Sequence, residues 1–318
     1  GVLGPAPRAV AKTDSPSGGG VQSDGSGGGQ VVAFSFEVTT TSASGESDVG
    51  TTTSSSSGGA YVRPACWYKP GKTGVETAEE RRRVSERDPY AGKLLSLTAP
   101  DERDAMAHAA DNGRWYRMYC DASTEEGRAR TKERMFANRM WDWVPEGRAA
   151  PEPVVDPVTL ARAAVEAAAI PAPSVETNPR ITTDNGVEGA AVVGVDTWVW
   201  AAPDTPSHVE VRATAGSTSV SVSADAGGLS LSAPGARTRC TGWGEPWREG
   251  ASREGDSDCV IVFTRSAAHV PLTVSATYDI TWTSTNGAGG TLEALTTTTT
   301  TDLPVAEIQT INRPAPTH

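Results

Sequence analysis

Residues 271–282, PLTVSATYDITW, put Leu272, Val274, Ala276, Tyr278, Ile280 and Trp282 on one side of an extended chain, with Thr, Ser and Asp on the other. A period-two alternation held over this length fits a strand with one buried face and one wet face. The chain must therefore supply both a sheet and something to cover it. The runs at 192–200 (VVGVDTWVW), 209–215, 219–223, 229–233, 260–264, 291–301 and 305–311 are also short, β-rich and divided by Gly, Pro, Asn or Asp. Seven or so strands in about 120 residues is the pattern of a β-sandwich of immunoglobulin type.

Upstream the pattern is mixed. Residues 30–40 (QVVAFSFEVTT) alternate Val32, Phe34, Phe36 and Val38 on one face, a half-buried strand. A Ser/Thr/Gly stretch runs to 59, and 60–68 (AYVRPACWY) read as a return strand with Pro64 at an edge or bulge. Residues 75–87 are charged all round and predict a solvated helix laced with Glu and Arg pairs. A second helix is predicted over 101–112, starting near Thr98 or Pro100 and ended by Gly113, and a third over 124–140. The third helix brings Met135, Phe136, Arg139 and Met140 toward Trp141 and Trp143, which with Trp115, Tyr116 and Tyr119 are expected to form a small core.

A Pro/Ala segment at 146–153 leads to one more helix. Asp156 caps it, Pro157 takes its first position, and Leu160, Ala164, Val165 and Ala168 form one stripe before Pro171 and Pro173. At this length the helix needs a surface to dock on. The expected fold class is thus α+β multi-domain: a Gly/Ser-rich disordered tether (1–29), a small mixed α/β domain (30–150), a Pro-bounded linking helix (151–174) and the sandwich (175–313).

The four cysteines fall one pair to each half, which fits the disulfides Cys66–Cys120 and Cys240–Cys259 in an exported protein. No cysteine has another Cys or a His two to four positions away, as a zinc site needs. A net charge of -11 leaves no basic footprint for nucleic acid or an anionic membrane. No run is apolar enough to span a bilayer, and the start at Gly1 rather than Met reads as a processed form.

Between Cys240 and Cys259 lies an acidic, Gly-rich excursion, CTGWGEPWREGASREGDSDC. Trp243 and Trp247 cannot both be buried by such a loop, so they either plug the core or face a partner. Together with Glu245, Asp256 and Asp258 they are the expected binding surface. Glu254, Asp256 and Asp258 are also candidate oxygen ligands for calcium, without the spacing of a helix-loop-helix site.

The segments PVTLARAAVEAAAIPAPSVETNP, VVGVDTWVW, the pair Cys240 and Cys259, LTVSATYDITW and VAEIQTI resemble a functionally undescribed family of exported proteins in high-GC Gram-positive bacteria. The likeness covers most of 60–313. It implies a Cys-paired N-terminal module, a Pro-bounded helix and a C-terminal sandwich similar to PKD domains. The PKD pattern is degenerate: its Gly-Asp-Gly turn is replaced by LSLSAPGARTRC, and its His-x-Tyr element reads CVIVF. Relatives often carry an ATP/GTP-binding label, and Gly71, Lys72 and Thr73 spell the end of a phosphate loop. Its first glycine, however, falls on Cys66.

None of His108, His208, His269 and His318 lies near a Gly-x-Ser-x-Gly turn, and nothing selects a carboxylate pair among 39 acids. The sequence therefore selects no catalytic or cofactor residue and no cofactor, and the loop acids, lacking the spacing of a calcium site, select no metal residue either. It reads as a secreted or cell-surface, non-enzymatic interaction or adhesion protein that binds protein or a cell-wall glycan. Two other readings stay open: a self-associating component of an envelope assembly, and a cell-wall hydrolase.

Overall fold

The structure is a computed structural model, and it describes residues 21–23, 30–43, 52–88, 99–184, 186–249 and 257–308. At 49% strand and 18% helix the chain is mostly β, with one large curled sheet. This corrects the α+β expectation and its linking helix. The chain divides into two compact units: Gly1–Phe34 with Arg63–Val154, and Ser35–Val62 with Val155–His318. Of the expected tether only Val21–Ser23 (β1) falls among the described residues. It is a strand, antiparallel to the start of β2 (Gln30–Ser42).

The second unit is built on very long strands. β10 (Pro206–Ala215), β11 (Thr218–Ser232), β14 (Ala267–Ser284) and β15 (Gly289–Ala306) follow β2 in an antiparallel sheet. β3 (Thr52–Val62) pairs with β2, and β8 (Ala191–Val192) runs parallel to the end of β15. The 18 residues of β14 extend about 60 Å, so its buried face is too long for a single cover.

Two elements share that face. At one end lies a second sheet, ordered β12 (Ala236–Cys240), β13 (Cys259–Phe263), β9 (Asp196–Ala201), β7 (Val175–Asn178). Leu229, Leu231, Leu272, Val274, Leu303 and Val305 from the large sheet meet Val199, Ile261 and Phe263 in a closed core. Farther along, α4 (Pro157–Ala168) lies on β10 and β11, with Leu160, Ala161 and Ala164 fully buried. The segment expected to link two domains is therefore a second lid on the large sheet. A helix this short is marginal alone, and its alanines face strands rich in Ala and Val (Val211, Ala213, Val222, Ala224).

Local backbone chemistry accounts for the other departures. The run at 192–200 breaks at Gly194, whose φ of 73° sends β8 and β9 into different sheets. The runs at 219–223 and 229–233 fuse into β11 through an irregularity between Ala226 and Leu229. β15 continues through Pro304 on the edge of the sheet, where a missing N–H is tolerated. The last part of the run expected over 305–311 lies outside the described residues.

In the first unit β4 (Cys66–Thr73), β5 (Arg114–Cys120) and β6 (Trp141–Val144) form a three-stranded antiparallel sheet. The return strand expected over 60–68 is interrupted around Pro64 and becomes the end of β3 and the start of β4. α1 (Gly74–Arg87) begins with a capping box in which Thr73 and Glu76 exchange hydrogen bonds. α2 spans only Glu102–Ala107, capped by Asp101, and α3 spans Glu125–Phe136, capped by Thr124. Both end earlier than their patterns predict. α2 gives way to a turn that sets His108 on Trp143, ring centroids 4.2 Å apart. α3 turns Arg134 toward the sheet, where it forks onto Asp142 and reaches the Tyr68 hydroxyl. At about 100° per residue the next two side chains point away, and Met135 and Phe136 are 49% and 82% exposed. The expected aromatic core is smaller: Trp115, Trp143 and His108.

Candidate functional site

The two disulfides are built alike. Cys66 faces Cys120 across β4 and β5, and Cys240 faces Cys259 across β12 and β13, each pair directly opposite in register. The second pair closes the acidic excursion, whose first residues bond back to the strands. The Gly242 carbonyl accepts from Leu229 N–H, and the Trp243 carbonyl from Ala201 N–H, each at 2.8 Å. Gly228 makes this approach possible: its φ is 156°, and a Cβ there would lie 2.5 Å from the Gly242 oxygen. Trp243 itself packs on the core between the sheets.

Past Trp243 the excursion turns outward. Glu245 is exposed, and Trp247 is 44% exposed. Asp258 returns to the base, where one carboxylate oxygen is buried without a hydrogen-bond partner and the other crowds Gly242. Glu254 and Asp256 lie outside the described residues. Of the expected surface residues that are described, the structure brings Glu245 and Trp247 to solvent and turns Trp243 and Asp258 inward. Among the described residues no group of three His, Cys, Asp or Glu is placed to hold a metal ion.

A second candidate surface lies on one face of the first unit's sheet. Trp67 is opposite Tyr119, and Lys69 is opposite Arg117, which in turn is opposite Trp141. Direct partners share a face, so five side chains form one aromatic and cationic ladder. Trp67 and Tyr119 stack with centroids 6.4 Å apart. Lys69 sits 5.1 Å and Arg117 4.9 Å from the centre of the Tyr119 ring, and Arg117 also lies 5.9 Å from that of Trp141. Lys69 is exposed and the other four are partly exposed. Arg117 Nε and Trp141 Nε1 are buried without a hydrogen-bond partner, and Arg117 Nη1 donates to the Tyr119 hydroxyl at 3.4 Å. Tyr119 and Trp141, expected in a core, lie on this face instead, and the signal that marks it in the sequence is the period-two pairing of aromatic and cation in W-x-K and R-x-Y.

The remaining motifs are absorbed locally. Lys72 pairs with Glu80 at 2.6 Å, and the Thr73 hydroxyl accepts from Glu76 N–H, so the Gly-Lys-Thr triplet serves the start of α1. On the wet face of the large sheet His208 Nδ1 lies 2.6 Å from one oxygen of Asp225, and Ser223 donates to the other. These bonds hold the Asp225 carboxyl below its usual range, the Ser223 bond first. The acid stands between hydroxyl and imidazole, so the serine faces a carboxylate and not an imidazole base.

No helix among the described residues is long and apolar enough to cross a membrane. The chain matches no protein-family model, no curated protein and no solved structure.

Proposed function

We propose that the chain is a secreted or cell-surface binding protein without an enzymatic role, and that the Trp67, Lys69, Arg117, Tyr119 and Trp141 ladder takes a glycan carrying carboxylate or phosphate groups. The observation that carries this reading is the alternation of flat rings and fixed cations on one partly exposed sheet face. Sugar ring faces stack on aromatics, and the ammonium and guanidinium beside those rings supply positive charge for an anion. Two disulfides fit an oxidising compartment.

The test is calorimetric titration of the oxidised full chain with peptidoglycan fragments that bear muramic carboxylates, with neutral chitin oligosaccharides as comparison. Trp67→Ala and Trp141→Ala are each expected to weaken binding about tenfold, roughly 1.4 kcal/mol, with the melting temperature retained. Lys69→Gln is expected to affect only the carboxylate-bearing ligand. Equal binding by all three variants rejects the ladder as the site.

A second reading is favoured by the exposed Trp247 beside Glu245, an acid-flanked anchor suited to a basic protein partner. There Trp247→Ala abolishes capture of the partner while Trp67→Ala leaves it intact.

A further inference from the structure

β15 lies at the margin of the large sheet. Along its inner side it pairs with β14 from Gly289 to Val305. On its outer side, among the described residues, only Val305 and Ala306 have a partner strand, β8. Residues 289–304 therefore present a row of outward N–H and C=O groups beside which no strand lies among the described residues.

Proteins usually protect such a row with charges, prolines or bulges. β15 carries those devices only near its ends. The register slips where Leu292 and Leu295 face Ile280 and Tyr278, leaving Glu293 and Ala294 as the irregularity, and Asp302 with Pro304 marks the other end. Between them, Leu295, Thr296, Thr297, Thr298, Thr299, Thr300 and Thr301 have no charge, proline or glycine, and β-branched residues favour a pleated strand.

We infer that this edge pairs with the same edge of a second copy of the chain, antiparallel about a two-fold axis at Thr298. The run selects its own kind because it is nearly uniform. With Thr298 opposite Thr298, Thr296 meets Thr300, Thr297 meets Thr299 and Leu295 meets Thr301. Glu293 then faces Leu303 and Asp302 faces Ala294, so no acid directly opposes another. That matters for a chain of net charge -11. The molecule already uses the same rung on its inner side: Thr277 and Thr296 hydroxyls lie 2.9 Å apart, and those of Thr273 and Thr300 3.3 Å apart. The even-numbered threonines are exposed, so the two wet faces join into one hydroxyl-lined surface. Main-chain bonds supply the affinity and the uniform side chains fix the face.

Sedimentation of the oxidised full chain over a wide concentration range tests this. The mass is expected to rise from 33.1 kDa toward twice that value. Thr298→Lys and Thr298→Glu each place like charges about 5 Å apart across the two-fold, and each should remain at one-chain mass with the melting temperature that the wild type shows when diluted to one chain. An equimolar mixture of the two should recover the doubled mass, because lysine then meets glutamate. Thr214→Lys, on the same wet face but in an interior strand, should dimerise as the wild type does. A wild-type chain that stays at one-chain mass overturns the inference, whether it is bare or carries a foreign peptide. So does a Thr298→Lys chain that still dimerises, or a mixture that gains nothing.

Discussion

Tyr278 shows how one side chain ties this sheet to solution conditions. It is fully buried, and its hydroxyl donates to the Pro206 carbonyl at 2.8 Å. Burial pushes the phenol up to about 12, against an ordinary value of about 10. The folded value is raised, so its stabilisation is complete below about pH 10 and is lost as the pH climbs to about 12, roughly 3 kcal/mol in all. Urea unfolding is expected to show that decline. In Tyr278→Phe the decline should be reduced by this amount, with a loss at neutral pH of about 1–2 kcal/mol because the Pro206 oxygen loses its partner. Tyr278 was legible as core, since the 271–282 alternation assigns its side. The approach of Gly228 to Gly242 was not, because a bulge in one strand and a loop from another must be known together. Gly228→Ala is expected to lower stability by about 2 kcal/mol or more, its Cβ meeting the Gly242 backbone; a melting curve unchanged from wild type would show that the backbone gives way.

At the scale of elements, local signals set the helix starts, and tertiary demands set their ends and uses. Asp156 and Pro157 begin α4 as their residue types require, with the Asp156 carboxylate accepting from Thr159 N–H at 3.0 Å. Nothing in an isolated amphipathic stripe says which surface it will cover. The prolines that bound α4 point to a connector, whereas the length of β14 requires a lid that the small sheet does not provide. Leu160→Ala should therefore cost about 2–5 kcal/mol, a core value, and Asp156→Ala about 1 kcal/mol, a capping value. A loss near zero for Leu160→Ala in chemical denaturation would return α4 to the role of connector. Likewise the Ser/Thr/Gly stretch that runs to 59 ends in β3, because pairing with β2 outweighs its weak side-chain pattern.

For the whole molecule, the cysteine arithmetic carried further than any motif, because one pair in each half restricts the pairing more tightly than composition restricts a fold. The structure adds that each bridge joins residues directly opposite in neighbouring strands of a single unit. Cys66–Cys120 closes a separation of 54 residues and Cys240–Cys259 one of 19, worth about 4 and about 3 kcal/mol through the unfolded chain's lost freedom. Neither bridge spans the two units, so removing one should weaken its own unit alone. In hydrogen exchange, replacing Cys66 and Cys120 by alanine is expected to strip protection from β5 and β6 while β14 keeps its slow amides. Replacing Cys240 and Cys259 should do the reverse, loosening β9 and β13 and leaving β5 protected. Loss of protection in both units from either pair alone would mean that they unfold as one cooperative body, and the division of the chain into two would have no energetic counterpart.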